Sequence, residues 1–313
     1  MLKPEVSIII PAFNVQNTIQ ETLDSLLAQT YQNFEVILVD DGSIDKSGEI
    51  IKDFLKKYPQ KFKYIWQKNQ GAAVARNVGL KQAQGKFIAW IDADDLWLPK
   101  RLELMLKEFR KNSHIAFVST DACYLYSDGQ VSKKTYYQIH GLPTKYSFKE
   151  MLRRNFIFGS PLISREVVKK VGFLDESLVR SEDYDYWLRI LVKNYQLAII
   201  KKPLALYRIR SDSLSQNFVK VNHAELKILV KIGKIRNFSS EEKEILNWHM
   251  KKVWLNLAQE YAKKNNFKQA IKYFKKNNNT WSKSSISLLS SKVGKKLWPK
   301  LMILKTAVGK IKK

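Results

Sequence analysis

Four short stretches of this chain carry side chains whose types and spacing could do chemistry. In order they are Val6-Ser7-Ile8-Ile9-Ile10-Pro11-Ala12-Phe13-Asn14, Val39-Asp40-Asp41-Gly42-Ser43, Ile91-Asp92-Ala93-Asp94-Asp95 and Ser181-Glu182-Asp183-Tyr184-Asp185. Carboxylates placed at the ends of apolar runs are costly unless they bind something. Asp92 and Asp94, two residues apart in an extended turn, are hard oxygen donors of the kind that suits Mg²⁺ or Mn²⁺. An acid such as Asp183, at the mouth of a helix, can take a proton from an attacking hydroxyl. It could equally be an acid favoured there by the helix dipole.

The elements that must position these groups alternate. Residues 6–10 read as a buried β-branched strand. Asn17-Thr18 can cap a helix bearing Ile19, Leu23, Leu26 and Leu27 on one face. Residues 34–39 form a second strand, followed by a helix marked by Ile50, Ile51, Phe54 and Leu55. A third strand spans 62–66, and Gly71 opens a small-residue helix through Lys81. A fourth strand spans 87–91, and Pro99 starts a helix through Phe109. This order implies a parallel, right-handed, doubly wound sheet whose ligand site lies at the carboxyl ends of the strands. After it, residues 115–126 and 131–139 read as a hairpin around Asp128-Gly129, 184–191 as a helix and 197–207 as an extended run. A mixed sheet covering the parallel half is expected.

Composition narrows the class. The chain has 313 residues, 45% hydrophobic, with a single cysteine, Cys123, so an internal disulfide framework is excluded and a reducing compartment fits. Met1-Leu2-Lys3-Pro4 leads straight to the first strand with no signal-peptide pattern, and no apolar run is long enough to suggest a membrane span. The formal net charge is +26, most of it in the last third: residues 218–313 hold 23 Lys+Arg against 5 Asp+Glu, and none of the acids lies beyond Glu260. In that region Trp248, Val253, Leu255, Leu257, Ala258 and Tyr261 fit one helix. Phe267, Ala270, Ile271, Tyr273 and Phe274 fit another, after a turn at 263–266. The pair is similar to a single tetratricopeptide-like repeat, which cannot bury its own face and must pack on something else. Further on, Trp298, Leu301, Met302, Ile303 and Leu304 are mixed with lysines in an acid-free segment, a pattern suited to an anionic membrane surface. The lysines carry no recognisable nucleic-acid-binding motif, so nucleic acid is not an expected partner.

In combination the four motifs resemble glycosyltransferase family 2, the inverting nucleotide-sugar-dependent enzymes with the GT-A fold, over about residues 5–215. The resemblance implies an α/β fold that is Rossmann-like, with a mostly parallel sheet and helices on both faces. It divides the chain into a GT-A domain at 1–216 and a helical, strongly basic region at 217–313. It implies transfer of one sugar from a nucleotide-sugar, a UDP-sugar first, to a saccharide or lipid-linked acceptor in bacterial cell-surface polysaccharide or glycolipid assembly. The enzyme would be cytoplasmic and peripheral on the inner face of the membrane. By the same resemblance Asp94 binds a divalent cation (Mg²⁺ or Mn²⁺), and Asp92 lies at the nucleotide ribose. Asp41 lies at the base with Pro11, Ala12 and Asn14 beside it, Arg76 lies near base and diphosphate, and Asp183 is the general base. Glu182 and Gly159 fall on the diphosphate or acceptor side. The residues leave other roles open: helix capping by Ser43, Asp45 or Asp95, and a surface salt bridge for Arg76.

One departure stands out. Family members often close the domain with Tyr-Arg-x-His, whereas this chain reads Tyr207-Arg208-Ile209-Arg210-Ser211-Asp212-Ser213. A guanidinium cannot ligate a cation but can bind diphosphate oxygens. A catalytically silent nucleotide-sugar-binding protein is the alternative this leaves open. The Gln-x-x-Arg-Trp motif of processive synthases does not follow Asp183, so single-sugar transfer is expected.

Overall fold

The computed structural model describes residues 3–112, 114–210 and 217–276. The chain divides into two compact units, residues 1–213 and 214–313. The first begins with the expected alternation: β1 (Val6–Ala12), α1 (Ile19–Leu27), β2 (Phe34–Asp40), α2 (Ser47–Lys57), β3 (Phe62–Trp66), α3 (Ala72–Gln82), β4 (Phe87–Trp90), the two-residue β5 (Leu96–Trp97) and α4 (Arg101–Lys111). β6 (Ile115–Leu125), β7 (Val131–Thr135), α5 (Tyr136–His140), α6 (Phe148–Arg153), β8 (Leu162–Ser164), α7 (Arg165–Val171), α8 (Glu182–Leu191) and β9 (Gln196–Arg208) complete it.

Among the described residues these strands make one sheet in the order β3-β2-β1-β4-β8-β6-β9-β5, with β7 on β6. The β3-β2-β1-β4 half is parallel. β8 runs antiparallel to both β4 and β6, and β9 is parallel to β6. The second half therefore continues the first edge to edge instead of covering it. The expected return strand over 131–139 is also shorter. Thr135 ends it, because its side chain accepts from the Gln138 N–H while Gln138 reaches back to the Thr135 N–H. This reciprocal cap satisfies two orphan donors and starts α5.

Both sheet faces are covered. Ile8 and Ile10 of β1 pack with Ile19, Leu23 and Leu26 of α1 and Leu102 and Met105 of α4. On the opposite face Gly79 of α3 lies so close to β1 that a Cβ there would come 2.4 Å from Ile9 Cγ2. Trp187 of α8, fully buried, stacks on Trp90 (5.4 Å) and Phe117 (5.1 Å). Burial of such a side chain stabilises by roughly 2–3 kcal/mol, and here it fixes α8 against the centre of the sheet.

The second unit contains α9 (Phe218–Ile232), α10 (Ser240–Lys263) and α11 (Phe267–Lys276). α10 and α11 are the two helices read from the sequence. α9 supplies the missing face: His249 of α10 pairs with Glu225 of α9 at 3.0 Å. His223 of α9 meets the Tyr261 hydroxyl at 3.0 Å, and Tyr261 stacks on Tyr273 of α11. Among the described residues no helix is long and apolar enough to cross a membrane. The apolar and basic stretch from Trp298 to Lys313, and Ser211, Asp212 and Ser213 of the closing motif, lie outside the described residues.

Candidate active site

The carboxyl ends of β1 and β2 hold the first two motifs together. Pro11 and Ala12 end β1, and the Ala12 carbonyl accepts from the Asp41 N–H at 2.8 Å. Asn14 has φ 51°, a left-handed conformation that asparagine tolerates better than most residues. From there its N–H donates to Ser43 Oγ (3.1 Å) and its Oδ1 accepts from the Ile44 N–H (3.0 Å). Asp41 is buried, and its carboxylate accepts from Gln67 Nε2 (2.7 Å), the Gln70 N–H (2.9 Å) and the Gly71 N–H (2.7 Å). It therefore ties β2 to the loop that opens α3. Asp45 accepts from the Ser47 N–H at 2.9 Å, but the N-cap of α2 is Lys46, and neither Ser43 nor Asp45 caps the helix.

The Asp92–Asp94 turn is anchored from α1. Thr18 and Thr22 both donate to the Ala93 carbonyl, at 3.0 and 3.1 Å. Thr18 makes no side-chain cap on α1; its hydroxyl is spent on this turn, a role the sequence did not reveal. Asp92 remains half-exposed. Burial, then the neighbouring Asp92 charge, pushes the Asp94 carboxyl up to about 6, against the opposing charges of Arg210 and Arg208. Arg210 Nη1 lies 3.6 Å from Asp94 Oδ2. Asp95 is buried, and its pKa is raised by burial and by both neighbouring aspartates. It does not cap α4, whose N-cap is Lys100; it accepts from the Arg208 N–H at 3.1 Å. Arg208 was missed as a site residue. Its Nε donates to the Asp94 carbonyl (2.9 Å) and its Nη2 to Glu21 (2.5 Å). The only signal was its place in the closing motif.

Arg76 joins the third and fourth motifs. It is 7% exposed. Its Nη1 donates to Glu182 Oε1 and its Nη2 to Asp92 Oδ1 at 2.6 Å. The next residue, Asn77, exchanges hydrogen bonds with the Leu174 backbone (3.0 and 2.9 Å), fixing α3 against the chain leading to α8. Asp183 follows Glu182 in the first turn of α8, after Ser181 at φ 58°. Burial first, then Glu182, pushes the Asp183 carboxyl up to about 6; the Tyr184 N–H bond (2.7 Å) and Arg76 oppose the rise. A carboxylate held near 6 is mostly ionised at neutral pH yet far more basic than a free one.

Asp92, Asp94, Arg76, Glu182, Asp183 and Arg210 thus form one connected charge cluster. Pro11, Ala12, Asn14 and Asp41 form a neighbouring hydrogen-bonded loop cluster, joined to α3 through Gly71. Among the described residues Gly159 joins the hydrogen bonds of neither cluster; it follows Phe158, whose ring packs with Tyr136 and Tyr207.

A family model for glycosyl transferase family 2 matches residues 7–172. The chain is 32% identical over 236 residues to an Escherichia coli enzyme, UDP-Glc:alpha-D-GlcNAc-diphosphoundecaprenol beta-1,3-glucosyltransferase WfaP, covering 73% of this chain and 86% of that one. It is 33% identical over 228 residues to an uncharacterized glycosyltransferase of Methanocaldococcus jannaschii, covering 69% and 75%. Among solved structures, Staphylococcus aureus TarS 1–349 in complex with UDP-GlcNAc superimposes with a TM-score of 0.63 at 17% identity, covering 89% of this chain and 93% of that one. The Pyrobaculum calidifontis mannosyltransferase PcManGT, in complex with GDP-Man and Mn²⁺, does so with a TM-score of 0.64 at 17% identity, covering 92% and 79%. The motif order, the mixed sheet and these likenesses agree: the chain belongs to glycosyl transferase family 2 and is a glycosyltransferase with the GT-A fold.

Proposed function

We propose that this glycosyltransferase moves one sugar from a UDP-sugar to an acceptor hydroxyl with inversion at the anomeric carbon. The observation that carries the reading is the Arg76 bridge. It couples Asp92, two residues before Asp94, to Glu182, one residue before Asp183. A diphosphate anchor and a basic carboxylate are thereby held in one rigid frame, as a single in-line displacement requires. The acceptor hydroxyl approaches Asp183, which takes its proton as the new glycosidic bond forms and the nucleoside diphosphate leaves. Pro11, Ala12, Asn14 and Asp41 border the base, Asp92 the ribose, and Arg210 supplies a cation for diphosphate oxygens.

The fold family implies a divalent cation, and the residues fit one. Asp94 is a hard oxygen donor whose carboxyl is pushed up by burial first and by the neighbouring Asp92 charge second, against Arg210 and Arg208. A Mg²⁺- or Mn²⁺-type site needs only one or two protein carboxylates, the rest of its shell coming from water and substrate phosphates. A cation held by Asp94 would neutralise charge on the leaving diphosphate.

The WfaP name specifies a UDP-glucose donor and a diphosphoundecaprenol-linked acceptor. A lipid-linked saccharide is the acceptor class proposed here, in cell-surface polysaccharide or glycolipid assembly on the cytoplasmic face of the membrane. The basic helical region, 217–313, is proposed to hold the enzyme at that surface. In its support, Trp248 is half-exposed on α10 with Lys252 Nζ 5.5 Å from its ring. The deciding experiment is a mass-spectrometric screen of UDP-, GDP- and dTDP-sugars with Mg²⁺ and Mn²⁺ against lipid-diphosphate-linked sugars, with NMR of the new linkage. Turnover of a UDP-sugar to an inverted product is expected. Retention of anomeric configuration would overturn the mechanism, and exclusive use of another nucleotide would overturn the donor assignment.

A further inference from the structure

The second half of the sheet gathers aromatic rings that the reaction described above does not use. Tyr124 of β6 and Tyr207 of β9 are direct partners in the ladder, so both project from the same face, with ring centroids 5.9 Å apart. α5 brings Tyr136 within 6.3 Å of Tyr124 and His140 within 4.4 Å of Tyr136. Phe158, buried at 4% exposure, forms the floor, 5.3 Å from Tyr136 and 5.8 Å from Tyr207. Above that floor Tyr124, Tyr136 and Tyr207 stay partly open to solvent, and His140 is exposed. The rim is polar: the Tyr124 hydroxyl meets His140 Nε2 at 2.7 Å.

One contact ties this shelf to the reacting groups, and the electrostatics agree with it. Arg208, next in the chain after Tyr207, donates to the Asp94 carbonyl. On the other side, the Tyr136 phenol pKa is raised by burial first, then by Tyr124 and Tyr137, and also by the Asp183 charge. Through Tyr207 and Arg208 the shelf adjoins the Asp94 turn. A cluster of half-open, mutually tilted tyrosines is a poor way to finish a core but a good surface for a sugar. The C–H face of a pyranose carries partial positive charge that the negative face of an aromatic ring attracts. Its hydroxyls need donors and acceptors at the edge, which the tyrosine hydroxyls and His140 supply.

We propose that Tyr124, Tyr136 and Tyr207, with His140 at the rim, form the acceptor-sugar platform, on which the terminal pyranose ring of the acceptor stacks with its nucleophilic hydroxyl toward Asp183. The platform rests on the glycosyl-transfer reading of the Asp183 site. The test is saturation-transfer NMR and titration on the full chain with UDP and Mn²⁺. The probes are the methyl β-glycosides of glucose, galactose, N-acetylglucosamine and N-acetylgalactosamine. At least one glycoside is expected to receive saturation on the protons of one ring face. Tyr124→Ala and Tyr136→Ala should each weaken its binding roughly two- to tenfold, while Tyr124→Phe and Tyr136→Phe keep the stacking and UDP binding is unchanged throughout. UDP bound with no glycoside response in the wild type, or equal glycoside binding by wild type and Tyr124→Ala, would overturn the platform while leaving the donor reading intact. Absence of UDP binding by the wild type would instead remove the reading on which the platform rests. Tyr124 lies outside the helix that Tyr136 helps pack, so loss of folding in Tyr136→Ala would not remove the test.

Discussion

Glu182→Gln should move the acidic limb of the transfer reaction to lower pH. Asp183 is held at about 6, by burial first and by the Glu182 carboxylate second. If Asp183 must be ionised to act, about nine-tenths of the enzyme is competent at about pH 7 and about one-tenth at about pH 5. Glutamine removes the like charge yet keeps an oxygen for Arg76 Nη1. Arg76, with one carboxylate fewer to answer, then acts more strongly on Asp183. Both changes favour the ionised base, so both lower its pKa. A fall of about one pH unit raises the ionised fraction at about pH 5 from about one-tenth to one-half, roughly fivefold, relative to the variant's own plateau. The assay is kcat against pH at saturating donor and divalent cation. Saturation matters because Asp94 also titrates at about 6, and a bound cation keeps its carboxylate ionised. An unchanged limb, or one displaced to higher pH, would refute either Asp183 as the base or the coupling through Glu182.

Other perturbations test the same frame. Arg76→Met leaves the buried Glu182 without its partner and should cost about 3 kcal/mol of stability, read by denaturant unfolding; a loss within 0.5 kcal/mol, roughly what surface changes cost, would show that the bridge contributes little. Asp94→Ala should lower turnover by roughly 10²-fold or more, as should excess chelator; full activity in chelator would transfer the role to Arg210 and Arg76. Full-length protein should co-sediment with anionic vesicles at low salt more strongly than a chain ending at Asn279. Moderate salt should weaken the binding if lysines dominate it, and equal binding by both chains would discard the tail as the anchor.

The parallel half of the fold was legible because its strands are uninterrupted β-branched runs separated by amphipathic helices. The acid motifs marked the ends of β2 and β4 and the start of α8 for the same reason. The second half was harder. Tyr136, Tyr137 and Ile139 have side chains that favour strands, and only Thr135 with Gln138 three residues on announced the helix. α9 was not read from the sequence although its own pattern is amphipathic, with Ile228, Leu229 and Ile232 buried. The Arg76–Glu182 contact spans 106 residues, and no local spacing predicts such a pair. Likewise Thr18 looked like a helix cap, and only the folded chain brings the Ala93 carbonyl to its hydroxyl.

The central claim is that Asp183 removes the acceptor proton. The most direct measurement is the transfer rate of Asp183→Asn beside its affinity for the donor nucleotide, by calorimetry. An isosteric amide cannot accept the proton, so the account predicts a rate lower by about 10²–10⁴-fold with donor affinity unchanged within about twofold. Transfer at the wild-type rate by a folded, donor-binding Asp183→Asn protein would contradict it.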